Sequence, residues 1–130
     1  MKLFIQLQVG DWKKSNYETP WLHFACSLSN DIMGTELDNQ SVGQVADLVL
    51  KLIDQSDSVF LLILANSPDE PLGAGMNLIH YCLRAIDRVE RVVLFGDHSL
   101  TEDSTMEFEE KFVKVGSEEE IKTQIREFAQ

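Results

Sequence analysis

Histidine is the side chain that changes charge nearest neutral pH, so the three in this chain are the first places to look for proton transfer. His98 lies in "FGDHS" (95–99), a polar stretch directly after an apolar run. It is the best single candidate for an acid or base. No nucleophile elbow accompanies it, and the catalytic residues are otherwise unassigned. His23 and Cys26 are three apart and share a helix face, but no further ligands have suitable spacing, so no metal site is expected. His80 and Cys82 are two apart and diverge on a helix. His80 reads as a packed or half-exposed histidine.

A second candidate is "NSPDEPLGAGMN" (66–77), which follows seven consecutive apolar residues, Val59 to Ala65. Its two glycines, Gly73 and Gly75, stand where a helix begins, and free N–H groups with the helix dipole favour an anion there. The third glycine of the dinucleotide fingerprint is replaced by Leu78. No Lys follows as in a phosphate-binding loop, and Asp69 and Glu70 lie close by. A nucleoside triphosphate is therefore not expected. What remains is a site for sugar hydroxyls or a single anionic group, or a turn that lets helix and strand approach closely.

The elements that would position these residues alternate along the chain. "LFIQLQV" (3–9) is strand-like. Thr19 and Pro20 supply a cap and a first helical residue, and Trp21, Ala25, Leu28 and Ile32 recur at helical spacing, with Gly34 as terminator. The spacing predicts a helix over 20–33, leaving "TELD" (35–38) as at most a short edge strand. Ser41 and Gln44 form a capping pair before a stripe of Val42, Val45, Ala46, Val49, Leu52 and Ile53. "SVFLLILA" shows no alternation, as expected of a central strand covered on both faces. "AGMNLIHYCLRAIDR" reads as a helix, "RVVLFGD" as a strand, 101–110 as a short acidic helix and "KFVKV" as a last strand. Ser117 with Glu120 then caps a helix carrying Ile121, Ile125 and Phe128.

This alternation predicts one α/β domain over residues 1–130. It is a three-layer α/β/α sandwich around a parallel sheet of four or five strands, in the flavodoxin-like order 2-1-3-4-5. In such sheets ligands bind at the carboxyl ends of the strands. That rule selects "VGDW", "ANSPDEPLGAG" and "FGDHS", and the ligand-binding candidates Gln8, Asp11, Asn66, Ser67, Gly75, Asn77, Asp97 and His98, with Trp12 and Ser99 alongside. The same residue types also build ordinary turns. Gln6 and Gln8 sit on an internal strand and must find partners. Gln8, nearer the carboxyl end, is expected to face a ligand, and Gln6 a helix terminus or buried water.

Composition narrows the class. With 22 acidic and 11 basic residues the net charge is −11, a field that repels phosphate backbones and anionic membranes. No nucleic-acid or membrane partner is expected. The N-terminal stretch is broken by Gln6 and Gln8 and lacks the features of a secretory signal, so a cytoplasmic location and two free thiols, Cys26 and Cys82, are expected.

The layout resembles the nucleoside 2-deoxyribosyltransferase-like group and, more distantly, Toll/interleukin-receptor-type domains. The likeness lies in a first strand near the N-terminus, a helix ending "DQSD" before an apolar strand, and the loop and helix "GAGMNLIHYCLRA". The resemblance implies a nucleoside- or sugar-like ligand. It also implies a glutamate on that helix at the sugar's anomeric carbon, yet residues 71–86 hold no acid and Asn77 stands at the approximate place. An amide can bind a hydroxyl but cannot form a glycosyl ester, which puts glycosidic chemistry in doubt. The leading expectation is thus a small-molecule-binding domain without a cofactor. The alternative is a noncatalytic interaction or regulatory module that works through its acidic surface or as a homodimer.

Overall fold

The computed structural model describes residues 1–10, 20–39, 41 and 43–130. Strands β1 (Lys2–Val9), β2 (Ile32–Asp38), β3 (Ser58–Ala65), β4 (Val89–Phe95) and β5 (Phe112–Val115) alternate with helices α1 (Pro20–Leu28), α2 (Gly43–Gln55), α3 (Ala74–Arg84), α4 (Ser99–Thr105) and α5 (Glu118–Ala129). The strands form one all-parallel sheet in the order β2-β1-β3-β4-β5. This is the flavodoxin-like α/β arrangement. No helix among the described residues is long and apolar enough to cross a membrane.

Alternation of side chains across the pleat divides the core in two. Leu3, Ile5 and Leu7 of β1 with Leu61 and Ile63 of β3 pack against Ala46, Val49 and Ile53 of α2 and Leu78, Ile79 and Cys82 of α3. The opposite face sets Phe4, Phe60, Leu62 and Val93 against Ala25 of α1 and Ile121, Ile125 and Phe128 of α5. Phe60 is the hinge of that second layer, with ring centroids 5.3 Å from both Phe4 and Phe128. Residues 59–63 are wholly buried, which is why the strand that carries them needs no polar alternation.

One boundary differs from the sequence reading. α1 stops at Leu28, five residues before the expected end, and Ile32 and Gly34 belong to a seven-residue strand. Ser29 makes the break: its Oγ accepts from Asp31 N–H at 3.1 Å and its carbonyl from Ile32 N–H at 3.4 Å. The residues then pair in unbroken register with β1, from Lys2–Ile32 to Gln8–Asp38. Ile32 fits a helical period and a strand's buried position equally well, and pairing with β1 decides. Gly34 is a contact point under α1, where a Cβ would come within 2.9 Å of both Leu22 and Cys26. Val45, placed on the buried stripe of α2 by its spacing, is 41% exposed. Thr19 and Val42 lie outside the described residues.

Candidate functional site

The carboxyl ends of β1, β3 and β4 converge as the topology requires, and glycines make this possible. A Cβ at Gly10 would sit 1.5 Å from Asn66 Oδ1, so the Asn66 side chain lies directly over the end of β1. Asn66 N–H donates to the Val9 carbonyl. Gly96 has φ +112°, and a Cβ there would meet the Ala65 carbonyl at 2.0 Å.

The glycine loop before α3 resolves into packing. Gly73 adopts φ +53°, where a Cβ would lie 1.9 Å from the Asn39 carbonyl. That carbonyl accepts from Ala74 N–H at 3.4 Å, while Gly75 N–H donates to Leu72 O and Met76 N–H to Gly73 O. The first three N–H groups of α3 therefore have protein acceptors, and the position an anion would take is held by a backbone carbonyl. Gly75 is buried, with its missing Cβ 3.1 Å from Leu7. The motif brings helix and strand together. Asn39 completes the join by donating from its amide to Pro71 O at 3.0 Å and accepting from Gly10 N–H at 3.3 Å.

His98 is 1% exposed and caps α4. Its Nδ1 accepts from Thr101 N–H at 3.2 Å and lies 2.9 Å from Thr101 Oγ1, and its Nε2 faces the Glu70 carbonyl. This set of partners suits the neutral Nε2–H tautomer, which donates to Glu70 O and keeps Nδ1 as acceptor. Both ring nitrogens are engaged, so His98 clasps the β3–α3 loop to α4. Asp97 is exposed and shares Lys114 with Glu102, at 3.1 and 2.6 Å. Those two carboxylates hold the Lys114 ammonium above its ordinary pKa.

The remaining polar groups gather at the β1–β2 end of the sheet. Gln8, Glu36, Leu37, Asp38, Ser41 and Val45 line a cleft of about 160 Å³. Ser41 ties its wall, since its Oγ accepts from Asp38 N–H at 3.0 Å and donates to Asp38 Oδ1 at 3.3 Å. Gln6 is fully buried two residues before Gln8 on the same strand face, and its register partner on β2 is Glu36. Among the described residues neither amide atom of Gln6 has a hydrogen-bond partner. The expected helix terminus does not reach it: along the strand it lies between Phe4 and Gln8, and across the sheet between Glu36 and Leu62.

Of the sequence candidates, the structure thus brings Gln8 into a cleft, Asn66 over the end of β1, and Asp97 and His98 into bonds around α4. Ser67 is half-buried in the β3–α3 loop, Asn77 and Ser99 are exposed, and Gly75 is buried. Asp11 and Trp12 lie outside the described residues. His23 and His80 are exposed, Cys26 and Cys82 are free thiols, and among the described residues no His, Cys, Asp or Glu cluster could hold a metal. Burial in apolar surroundings pushes the Cys82 thiol up to about 12. Glu36 and Asp38 read as part of a short edge strand and Ser41 as a helix cap, so the sequence placed none of them at a site. Comparison of the chain with protein-family models, curated proteins and solved structures finds no match.

Proposed function

We propose that this chain is a binding domain for a compact, uncharged polar molecule of nucleoside or sugar type, held at the carboxyl ends of β1 and β2. The observation that carries the reading is Gln6. It lies fully buried behind the cleft lining. A buried amide with no partner costs about 1–3 kcal/mol for each unsatisfied group, a cost offset by a ligand that enters between Gln8 and Glu36 and reaches it with both a donor and an acceptor. Gln8 offers a second amide above it, and Glu36 and Asp38 accept hydrogen bonds from hydroxyl or amino groups. Among the described residues the cleft is lined by two carboxylates, Glu36 and Asp38, and by no Lys or Arg, a lining that disfavours a phosphate. Binding without turnover is proposed because, among the described residues, the polar lining of the cleft is the Gln8 amide, the Glu36 and Asp38 carboxylates and the Ser41 hydroxyl, with no His or Lys beside them, and because Asn77 stands where the resemblance implies a glutamate.

The test is thermal denaturation of the full chain against ribonucleosides, deoxyribonucleosides, neutral monosaccharides and the matching 5′-monophosphates. A ligand at a hundred times its Kd should stabilise by about 2.7 kcal/mol. At least one neutral member should raise Tm, and its monophosphate should do so less. A panel in which no neutral member shifts Tm would overturn the proposal.

A further inference from the structure

We infer that β2 is a pairing edge through which two copies of this chain join antiparallel, about a two-fold axis at Gly34, into one continuous ten-stranded sheet. The inference does not rest on the ligand reading. The two edges of the sheet are unlike. β5 is four residues long and carries Lys114, and short edges with a lysine resist further pairing. β2 is seven residues long, follows β1 without a register break, and contains neither Lys nor Pro.

The hydrogen bonds of β1 settle which backbone groups of β2 face outward. Lys2 N–H donates to Asp31 O and Asn39 N–H to Gln8 O, so the odd-numbered residues of β2 bond to β1 and the even-numbered ones point away. At the ends these outward groups have partners, Ile32 N–H on Ser29 O at 3.4 Å and Asp38 on Ser41. Among the described residues no partner is seen for either group of Gly34, either group of Glu36 or the Ile32 carbonyl, and these remain for another strand. An axis at Gly34 sets Gly34 against its copy and Ile32 against Glu36, so every one of these groups finds a partner once the long Ile32–Ser29 bond is exchanged. With the axis at Glu36, two carboxylates would face each other. An axis at Thr35 would leave the Ile32 carbonyl opposite Asp38, whose N–H and C=O are held by Ser41.

Side chains fit the same register. Met33 on β2 and Leu48 on α2 are 42% and 61% exposed, large apolar groups that the second copy covers. Each copy carries −11, so long-range repulsion opposes the pairing and screening assists it.

Sedimentation equilibrium of the full chain tests this, at about 50 mM and about 500 mM NaCl. A dimer that tightens with salt is expected. Glu36→Pro, which removes an outward N–H and no bond to β1, and Leu48→Lys should each weaken it at least tenfold while leaving Tm within a few degrees. In a Cys26→Ser background, Met33→Cys and Thr35→Cys chains should form a disulfide only when mixed. A wild-type monomer at all concentrations would overturn the inference, as would a dimer indifferent to both variants or a Thr35→Cys chain that crosslinks to itself.

Discussion

Replacing Gln6 with leucine separates a group kept for binding from one kept for the fold. Gln6 is fully buried, and among the described residues neither its amide oxygen nor its nitrogen has a partner. At about 1–3 kcal/mol for each unsatisfied group, the two together cost the folded state roughly 4 kcal/mol. Leucine removes both and keeps the site apolar beside Leu62, while its branched shape in a straight-chain site costs back up to about 1.5 kcal/mol. Gln6→Leu should therefore stabilise the chain by about 2 kcal/mol, raising Tm by roughly 6–10 °C for a domain of this size. Urea denaturation followed by circular dichroism measures this, with an unchanged m-value certifying that only stability has moved. The same variant should lose any ligand response. A loss of more than about 1 kcal/mol would refute the reasoning, because it would mean the amide is bonded in the folded protein.

Three further outcomes follow from the geometry. His98→Ala removes a helix cap and the bond to Glu70 O, and should cost about 1–3 kcal/mol in urea melts, with His98→Asn recovering the capping share. Gly73→Ala forces a Cβ to within 1.9 Å of the Asn39 carbonyl at φ +53°, and should destabilise by at least about 2 kcal/mol; a neutral result would mean the loop is not held against β2. For Cys82 the folded thiol keeps its proton to about 12 while the unfolded thiol ionises from its ordinary value of 9.0. The unfolded state thus holds fewer protons in this window, and stability falls by about 1.4 kcal/mol per pH unit above pH 9. Cys82→Ala should flatten that slope, and a thiol reagent at neutral pH should label native Cys26 but not Cys82.

The architecture was legible because burial writes itself into the chain at two periods. Val59 to Ala65 has no polar residue, since helices cover both of its faces, and Ile121, Ile125 and Phe128 recur as the single buried stripe of α5. Ser117 caps α5 as its type suggested, accepting from Glu120 N–H, although the Glu120 side chain returns to Gly116 N–H instead of Ser117. The β2 boundary was hidden because Ile32 lies four residues after Leu28, satisfying helical spacing by coincidence, while the pairing with β1 that claims it is non-local. The candidate site was less legible still. Asp, Asn, Ser and Gly at strand ends serve turns as readily as ligands. Here Gly73, Gly96 and Asn66 let neighbouring backbone approach, and His98 holds two loops together. Among the described candidates Gln8 lines the β1–β2 cleft, with Glu36, Asp38 and Ser41 brought beside it by a strand longer than the sequence suggested.

The most direct test of the central claim is the Gln6 side-chain NH₂ resonance, followed by nitrogen–proton correlation while neutral nucleosides and monosaccharides are titrated in. The account predicts that a ligand which raises Tm moves this resonance and that of Gln8 together, in proportion to occupancy. A stabilising ligand that leaves Gln6 unmoved and shifts other residues instead would contradict it.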